Sequence, residues 1–214
     1  MPDGVKPRRY ESPHRRAQAA ATRRQILEAA QRLFERDGYT ATTMAAIAAE
    51  AGVALKTVYV AFETKAGLLR ALWHLVLRGD PEDVPVAQRD WFREVLDEPD
   101  PARQLELNAR NSRMVKLRVQ GVGEAIRAAA AADPEGAALW NRIQQDFYEN
   151  QQAVVESLAA KGALRPGLDV AEATDRLWTI NHPDVWTLLV GRRGWTPDRY
   201  ERWLADSSSD QLLG

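Results

Sequence analysis

Thr42-Thr43-Met44-Ala45-Ala46-Ile47-Ala48-Ala49-Glu50-Ala51-Gly52-Val53-Ala54-Leu55-Lys56-Thr57-Val58-Tyr59-Val60-Ala61-Phe62 is the stretch that decides the fold. Thr42-Thr43 offers a capping hydroxyl, and Met44, Ile47 and Ala48 follow at helical spacing. Gly52 stops that helix early and permits the positive φ of a sharp turn. Leu55 to Phe62 predict a second short helix. Val58, Val60 and Phe62 also alternate as in a strand, but the run is short and has no partner nearby. Two short helices around a glycine turn predict a helix-turn-helix, whose second helix suits the major groove of DNA. Ile47 and Val53 are its expected buried pivot. So small a unit cannot bury enough surface alone, so its neighbours must cradle it.

Working outward, Thr22 and Gln25 have the spacing of a capping box. Ile26, Ala29, Ala30, Leu33 and Phe34 then form one apolar face closed by Asp37-Gly38, which predicts a helix over 22–37. On the other side Thr64 caps a helix through Leu68, Leu69, Leu72, Trp73, Val76 and Leu77, ended by Gly79-Asp80-Pro81. Residues 1–14 mix Pro2, Pro7 and Pro13 with Lys6, Arg8 and Arg9 and show no apolar periodicity, which predicts a disordered basic arm. Beyond Pro85, further helices are expected over 86–96, 101–119, 121–132, 136–161, 170–181, 184–190 and 197–206. Asn181-His182-Pro183 reads as a kink or restart, and Ser207-Ser208-Ser209 as a frayed tail.

Composition agrees. The 34 alanines outnumber the 21 valines and isoleucines, and all 11 prolines fall outside residues 14–80 and divide the rest into helix-length pieces. The expected fold class is all-α. The 29 basic and 30 acidic side chains nearly cancel, yet residues 1–80 carry 13 basic against 8 acidic and the remainder 16 against 22. A basic front and acidic back predict a polyanion-binding module joined to something else. The absence of cysteine excludes disulfides, thiolate metal sites and a cysteine nucleophile. No apolar run approaches the roughly 18–20 residues of a membrane span, and the start does not read as a secretory signal. A cytoplasmic protein with no membrane partner is expected.

Catalysis finds little support. His14, His74 and His182 have no zinc-type spacing partner. Gly121-Val122-Gly123 lacks the third glycine of a dinucleotide loop, and no phosphate loop or nucleophile elbow is present. No enzyme activity, catalytic residue, metal or cofactor is expected.

Thr22, Ile26-Leu27-Glu28-Ala29-Ala30, Leu33-Phe34, Gly38-Tyr39, Thr42-Thr43, Ile47-Ala48, Ala51-Gly52-Val53, Thr57-Val58-Tyr59, Phe62, Lys65 and Leu68-Leu69 share one register. This run, over roughly 20–70, resembles the DNA-binding domain of the tetracycline-repressor (TetR) family. Residues 191–205 also resemble carboxy-terminal ends of some members. The resemblance implies a helix-turn-helix DNA-binding domain over 15–80, and a larger helical domain over 81–214 that dimerises and holds a ligand pocket. It implies a homodimeric repressor of a palindromic, double-stranded DNA operator, released by a small-molecule effector. The alternative is a helical dimeric small-molecule-binding or scaffold protein without specific DNA binding. Two departures stand out: Ala54 replaces the usual capping Ser, and Ala66-Gly67 follow Lys65 where Glu is common.

The DNA-binding set expected is Thr43, Leu55, Lys56, Thr57, Tyr59 and Lys65. Thr43 opens a helix whose free N–H groups suit a phosphate. Lys56 and Thr57 face outward while Val58 packs inward. Tyr59 and Lys65 reach phosphates, with family support for Tyr59. Leu55 and Val60 fit thymine methyls or the core equally well. Arg8, Arg9, Arg15, Arg16, Arg23 and Arg24 form a basic lead-in that follows the DNA backbone or enters the minor groove. An apolar or amphipathic effector is expected among Trp73, Asn111, Met114, Trp140, Gln144 and Phe147, where polar residues interrupt aromatic helices. Val154, Leu158, Leu177, Val185, Leu188 and Leu189 are the expected dimer contacts.

Overall fold

Caps and breakers account for most of the helix limits in the computed structural model, which describes residues 13–78 and 86–214. The arm expected over 1–14 lies almost wholly outside the described residues. The helices are α1 (Pro13–Ala41), α2 (Met44–Glu50), α3 (Leu55–Phe62), α4 (Lys65–Arg78), α5 (Asp90–Asp97), α6 (Pro101–Ala132), α7 (Pro134–Ala160), α8 (Val170–Ile180), α9 (Pro183–Trp186) and α10 (Pro197–Leu212). A 3-10 turn (Val86–Gln88) precedes α5, and a π-helical turn (Thr187–Arg192) follows α9. The all-α fold class is as expected.

Thr43 Oγ1 accepts from Ala46 N at 3.1 Å and starts α2. Gly52 takes φ +65° in the turn. Thr64 Oγ1 accepts from Gly67 N at 2.9 Å and starts α4. The strand alternative for Leu55–Phe62 fails because Val58 and Phe62, one helical turn apart, are buried together while Val60 is exposed.

Three of the expected helix limits need correction. First, α1 begins at Pro13 rather than Thr22. Nothing between them breaks a helix, and Ala17, Ala19, Ala20 and Ala21 favour one. Gln25 is no capping partner; its Nε2 donates to the Ala51 carbonyl at 2.7 Å. Second, α6 runs unbroken through Gly121. That glycine is a point of close approach, because a Cβ there would stand 2.7 Å from Glu35 Oε1 on α1. Third, residues 207–209 do not fray. Ser208 donates to Leu204 O at 2.6 Å, and Leu212 beyond it is fully buried.

The first core joins Ile26, Leu33, Ile47, Val58 and Leu68 of α1–α4 to Val122, Ile126 and Leu139 of α6 and α7. The second lies among α5–α8 and α10, and the third between α6, α9 and α10. Val154, Leu158 and Leu177 are fully buried inside the second core. They are therefore withdrawn from the dimer contacts, since a side chain sealed in its own protomer has no face for a mate. Leu188 is 51% exposed, while Val185 and Leu189 are half-buried.

The α6–α7 corner holds the front helices in place. Asp133 caps α7 by accepting from Gly136 N at 2.6 Å, and it also accepts from Tyr39 OH at 3.1 Å. Thr64 Oγ1 donates to Glu135 Oε2 at 2.8 Å. Gly136 is required here, as a Cβ would lie 2.3 Å from the Ala129 carbonyl.

Candidate nucleic-acid interface

The sequence of α3 sorts its side chains onto two faces. Val58 and Phe62 point into the first core, while Leu55 (41% exposed), Lys56, Tyr59 (49%) and Val60 (76%) lie on the surface. Apolar side chains this exposed, flanked by a lysine and a phenol, form a surface suited to base edges and phosphates rather than to water alone. Leu55 and Val60 thus leave the core alternative behind. Thr57 is half-buried. Thr43, exposed at the start of α2, uses its hydroxyl as the cap, and the first turn has further N–H groups without an intrahelical partner.

Several cations expected on the DNA backbone are engaged inside the protomer. Lys65 is the main correction. Its Nζ donates to the carbonyls of Tyr39 (2.8 Å) and Thr42 (3.0 Å) and stands 4.1 Å over the Tyr39 ring. The amine closes the α1–α2 corner because those carbonyls lie beyond Gly38, where φ +79° breaks the helix and leaves acceptors unmatched. Burial lowers the Lys65 pKa, with Asp133 acting in the opposite sense. Burial also raises the Tyr39 pKa, reinforced by its bond to Asp133. Arg23 donates to Ala61 O at 2.6 Å and covers the Phe62 ring at 4.2 Å, while Arg24 pairs with Glu28.

Ala54 gives α3 no side-chain cap, although its φ of −67° and ψ of 142° suit one. Gly67 proves to be a steric necessity. A Cβ there would stand 2.5 Å from the Phe62 carbonyl, so the glycine lets α4 begin directly under the end of α3. Ala66 is 7% exposed and borders the cleft between α4 and α7.

The family described as bacterial regulatory proteins, tetR family, matches residues 26–72, which span α2, α3 and most of α1 and α4. ArpR of Pseudomonas putida, an HTH-type transcriptional regulator, is 28% identical over 212 residues, covering 91% of this chain and 93% of its own. Residues 26–72 thus match the amino-terminal domain of the tetR family. Among solved structures, SmeT of Stenotrophomonas maltophilia in complex with triclosan superposes with a TM-score of 0.72 at 20% identity, covering 91% of this chain and 92% of that one. A transcriptional regulator from Saccharomonospora viridis in complex with choline superposes at 0.70 with 21% identity, covering 91% and 99%. These likenesses show a shared fold that includes the carboxy-terminal helices.

The six residues expected around an effector do not form one group. Gln144 Nε2 lies 2.9 Å from His182 Nε2, and Phe147 meets the same ring edge-on. Trp73 and Trp140 instead pack against the first core. Trp73 also lines a cleft of about 450 Å³ between α4 and α7. Asn111 is buried and donates to the Trp91 carbonyl at 2.7 Å, fastening α6 to α5. Met114 is half-buried on α6. The sequence reading missed Lys116, Gln151, Asn181 and Tyr200, four polar residues buried behind these helices. Lys116 gave a faint signal, as a lone cation in the half-apolar run from Met114 to Leu117.

Proposed function

We propose that the protein is a transcriptional repressor that binds an inverted-repeat operator as a homodimer through α3 and is released by a small-molecule effector. The observation that carries this reading is the outward face of α3, where Leu55, Lys56, Tyr59 and Val60 are exposed on a helix anchored by Val58 and Phe62. In the dimer, two copies of α3 read two half-sites, which makes the preferred DNA two-fold symmetric. Thr43 and the first turn of α2 sit on a phosphate, and Lys65 positions that turn from behind.

Release requires an effector with unequal affinity for two arrangements of the protein. Tyr39–Asp133 and Thr64–Glu135 are the bonds through which α6 and α7 act on the front helices. The triclosan and choline complexes of similarly folded regulators support a ligand-holding carboxy-terminal part.

The test is fluorescence anisotropy of the full chain with labelled DNA from the region flanking its own gene. Binding should weaken steeply with salt, and Lys56→Ala should weaken it further while reducing the salt slope by roughly one. A folded chain that binds neither this region nor any other duplex would favour the scaffold alternative.

A further inference from the structure

Among α6, α7, α8, α9 and α10 lies a set of buried polar groups that DNA binding does not use. Lys116 of α6 is 6% exposed, and its Nζ donates to Asn181 Oδ1 at 2.5 Å. Asn181 is fully buried and donates from Nδ2 to Ser112 Oγ at 2.8 Å and to Gln151 Oε1 at 2.9 Å. Lys116 Nζ also stands 5.4 Å from the Tyr200 ring centroid and 5.9 Å from that of Phe147. Trp186 meets Tyr200 edge-on at 4.9 Å. On the other side Phe147 reaches His182 at 6.3 Å, and His182 reaches Trp178 at 4.9 Å. Two sets of rings, Trp186 with Tyr200 and Phe147 with His182 and Trp178, thus meet at the Lys116 amine and wall it in from two sides.

This wall has donors in excess of acceptors. Tyr200 OH, Trp186 Nε1 and Trp178 Nε1 are buried without a hydrogen-bond partner among the described residues. An ammonium offers three protons, and Asn181 takes one. Nearby acids are committed elsewhere: Glu201 to Arg113, and Asp184 to Arg127 and the His182 ring. Burial with no compensating carboxylate lowers the Lys116 pKa to about 7. Native interiors seldom leave several neighbouring donors unmatched, because each carries its full desolvation cost.

We infer that this wall is the binding site of an organic anion, whose acidic head takes Lys116, Tyr200 and Trp186 while an aromatic body lies against Phe147, His182 and Trp178. It rests on the ligand-responsive reading above and gives that effector a chemical class. Trp186 ends the four-residue α9 and leads into the π-helical turn, a type of irregularity concentrated at functional sites.

The experiment is isothermal titration of the full chain with three probes of one shape: 1-naphthoate, neutral 1-naphthalenemethanol and cationic 1-naphthylmethylammonium. Naphthoate should bind at least about tenfold more tightly than the alcohol, and the cation most weakly. At about pH 8.5, naphthoate binding should take up a proton, seen as a heat that varies with the buffer's ionisation enthalpy, because an anion beside Lys116 restores its charge. Lys116→Met keeps the apolar stem. It should abolish both the tenfold preference and the proton uptake while remaining helical. Tyr200→Phe keeps the ring and should weaken naphthoate by about threefold to tenfold without affecting the alcohol. Naphthoate no tighter than the alcohol, or failure of both to bind, overturns the inference. So does a Lys116→Met protein that keeps the preference. Either result with DNA binding intact removes only the anion site, whereas absent DNA binding removes the repressor reading whatever naphthoate does.

Discussion

At the scale of single residues, close contacts and buried charge decide what can be changed. Gly67→Ala drives a methyl into the Phe62 carbonyl at the α3–α4 junction. It should lower stability by about 1–3 kcal/mol, as overpacking typically does, despite alanine's better helix propensity. A urea melt reads this directly, and an unchanged or raised midpoint would refute the steric role. Lys116 makes a pH prediction. Its pKa falls from 10.5 to about 7 on folding, so between those values the unfolded chain holds a proton that the folded chain lacks. Stability should therefore rise with pH from about 7, and Lys116→Met should flatten the rise. The useful window ends near pH 9. Above it Tyr39 and Tyr200, kept protonated by burial, act oppositely because the unfolded chain loses their protons first. His182, lowered by burial and by Arg127 and Lys116 against the pull of Asp184, titrates below the window.

Among the helices, what was legible in the sequence was whatever local chemistry decides. Thr43, Gly52 and Thr64 are cap, turn and cap in the structure as in the sequence. The reading of α3 succeeded because the run is short and has no strand partner nearby, and in the structure Val58 and Phe62 share the buried face of a helix. The failures came from long-range causes. Gly121 reads as a breaker locally, and only the approach of α1 shows that it is a contact. Lys65 reads as a free cation, since nothing nearby in sequence reveals the carbonyls of Tyr39 and Thr42 above it. Periodicity cannot tell an apolar stripe facing a mate from one facing the protomer's own core, which is how Val154, Leu158 and Leu177 came to be placed at an interface. The uncapped start of α3 invites a test at this scale. Ala54→Ser supplies a hydroxyl where the backbone is already extended, and should raise stability by roughly 0.5–2 kcal/mol. Thermal unfolding followed by circular dichroism would show it, and an unchanged midpoint would mean the first-turn N–H groups of α3 are content with water.

For the whole molecule, assembly is the first question. Leu188 stands 51% exposed on the π-helical turn, beside half-buried Val185 and Leu189. Because it is open in the protomer, Leu188→Glu should leave the fold intact and weaken a dimer through this face by at least about tenfold, since an unpartnered charge would be desolvated there. Sedimentation velocity at several concentrations distinguishes a folded monomer from an undiminished dimer, and the latter would move the interface elsewhere. The shared first core has a different consequence, for engineering. Val122, Ile126 and Leu139 pack in the same core as the side chains that hold α1 to α4 together, so the seam between the first four helices and the rest is apolar interior rather than a hinge. Anyone building a chimera by grafting the first four helices onto a different carboxy-terminal part would have to transplant that seam too. A graft cut at residue 78 would strip Val122, Ile126 and Leu139 from that core, and the orphaned half would be expected to aggregate.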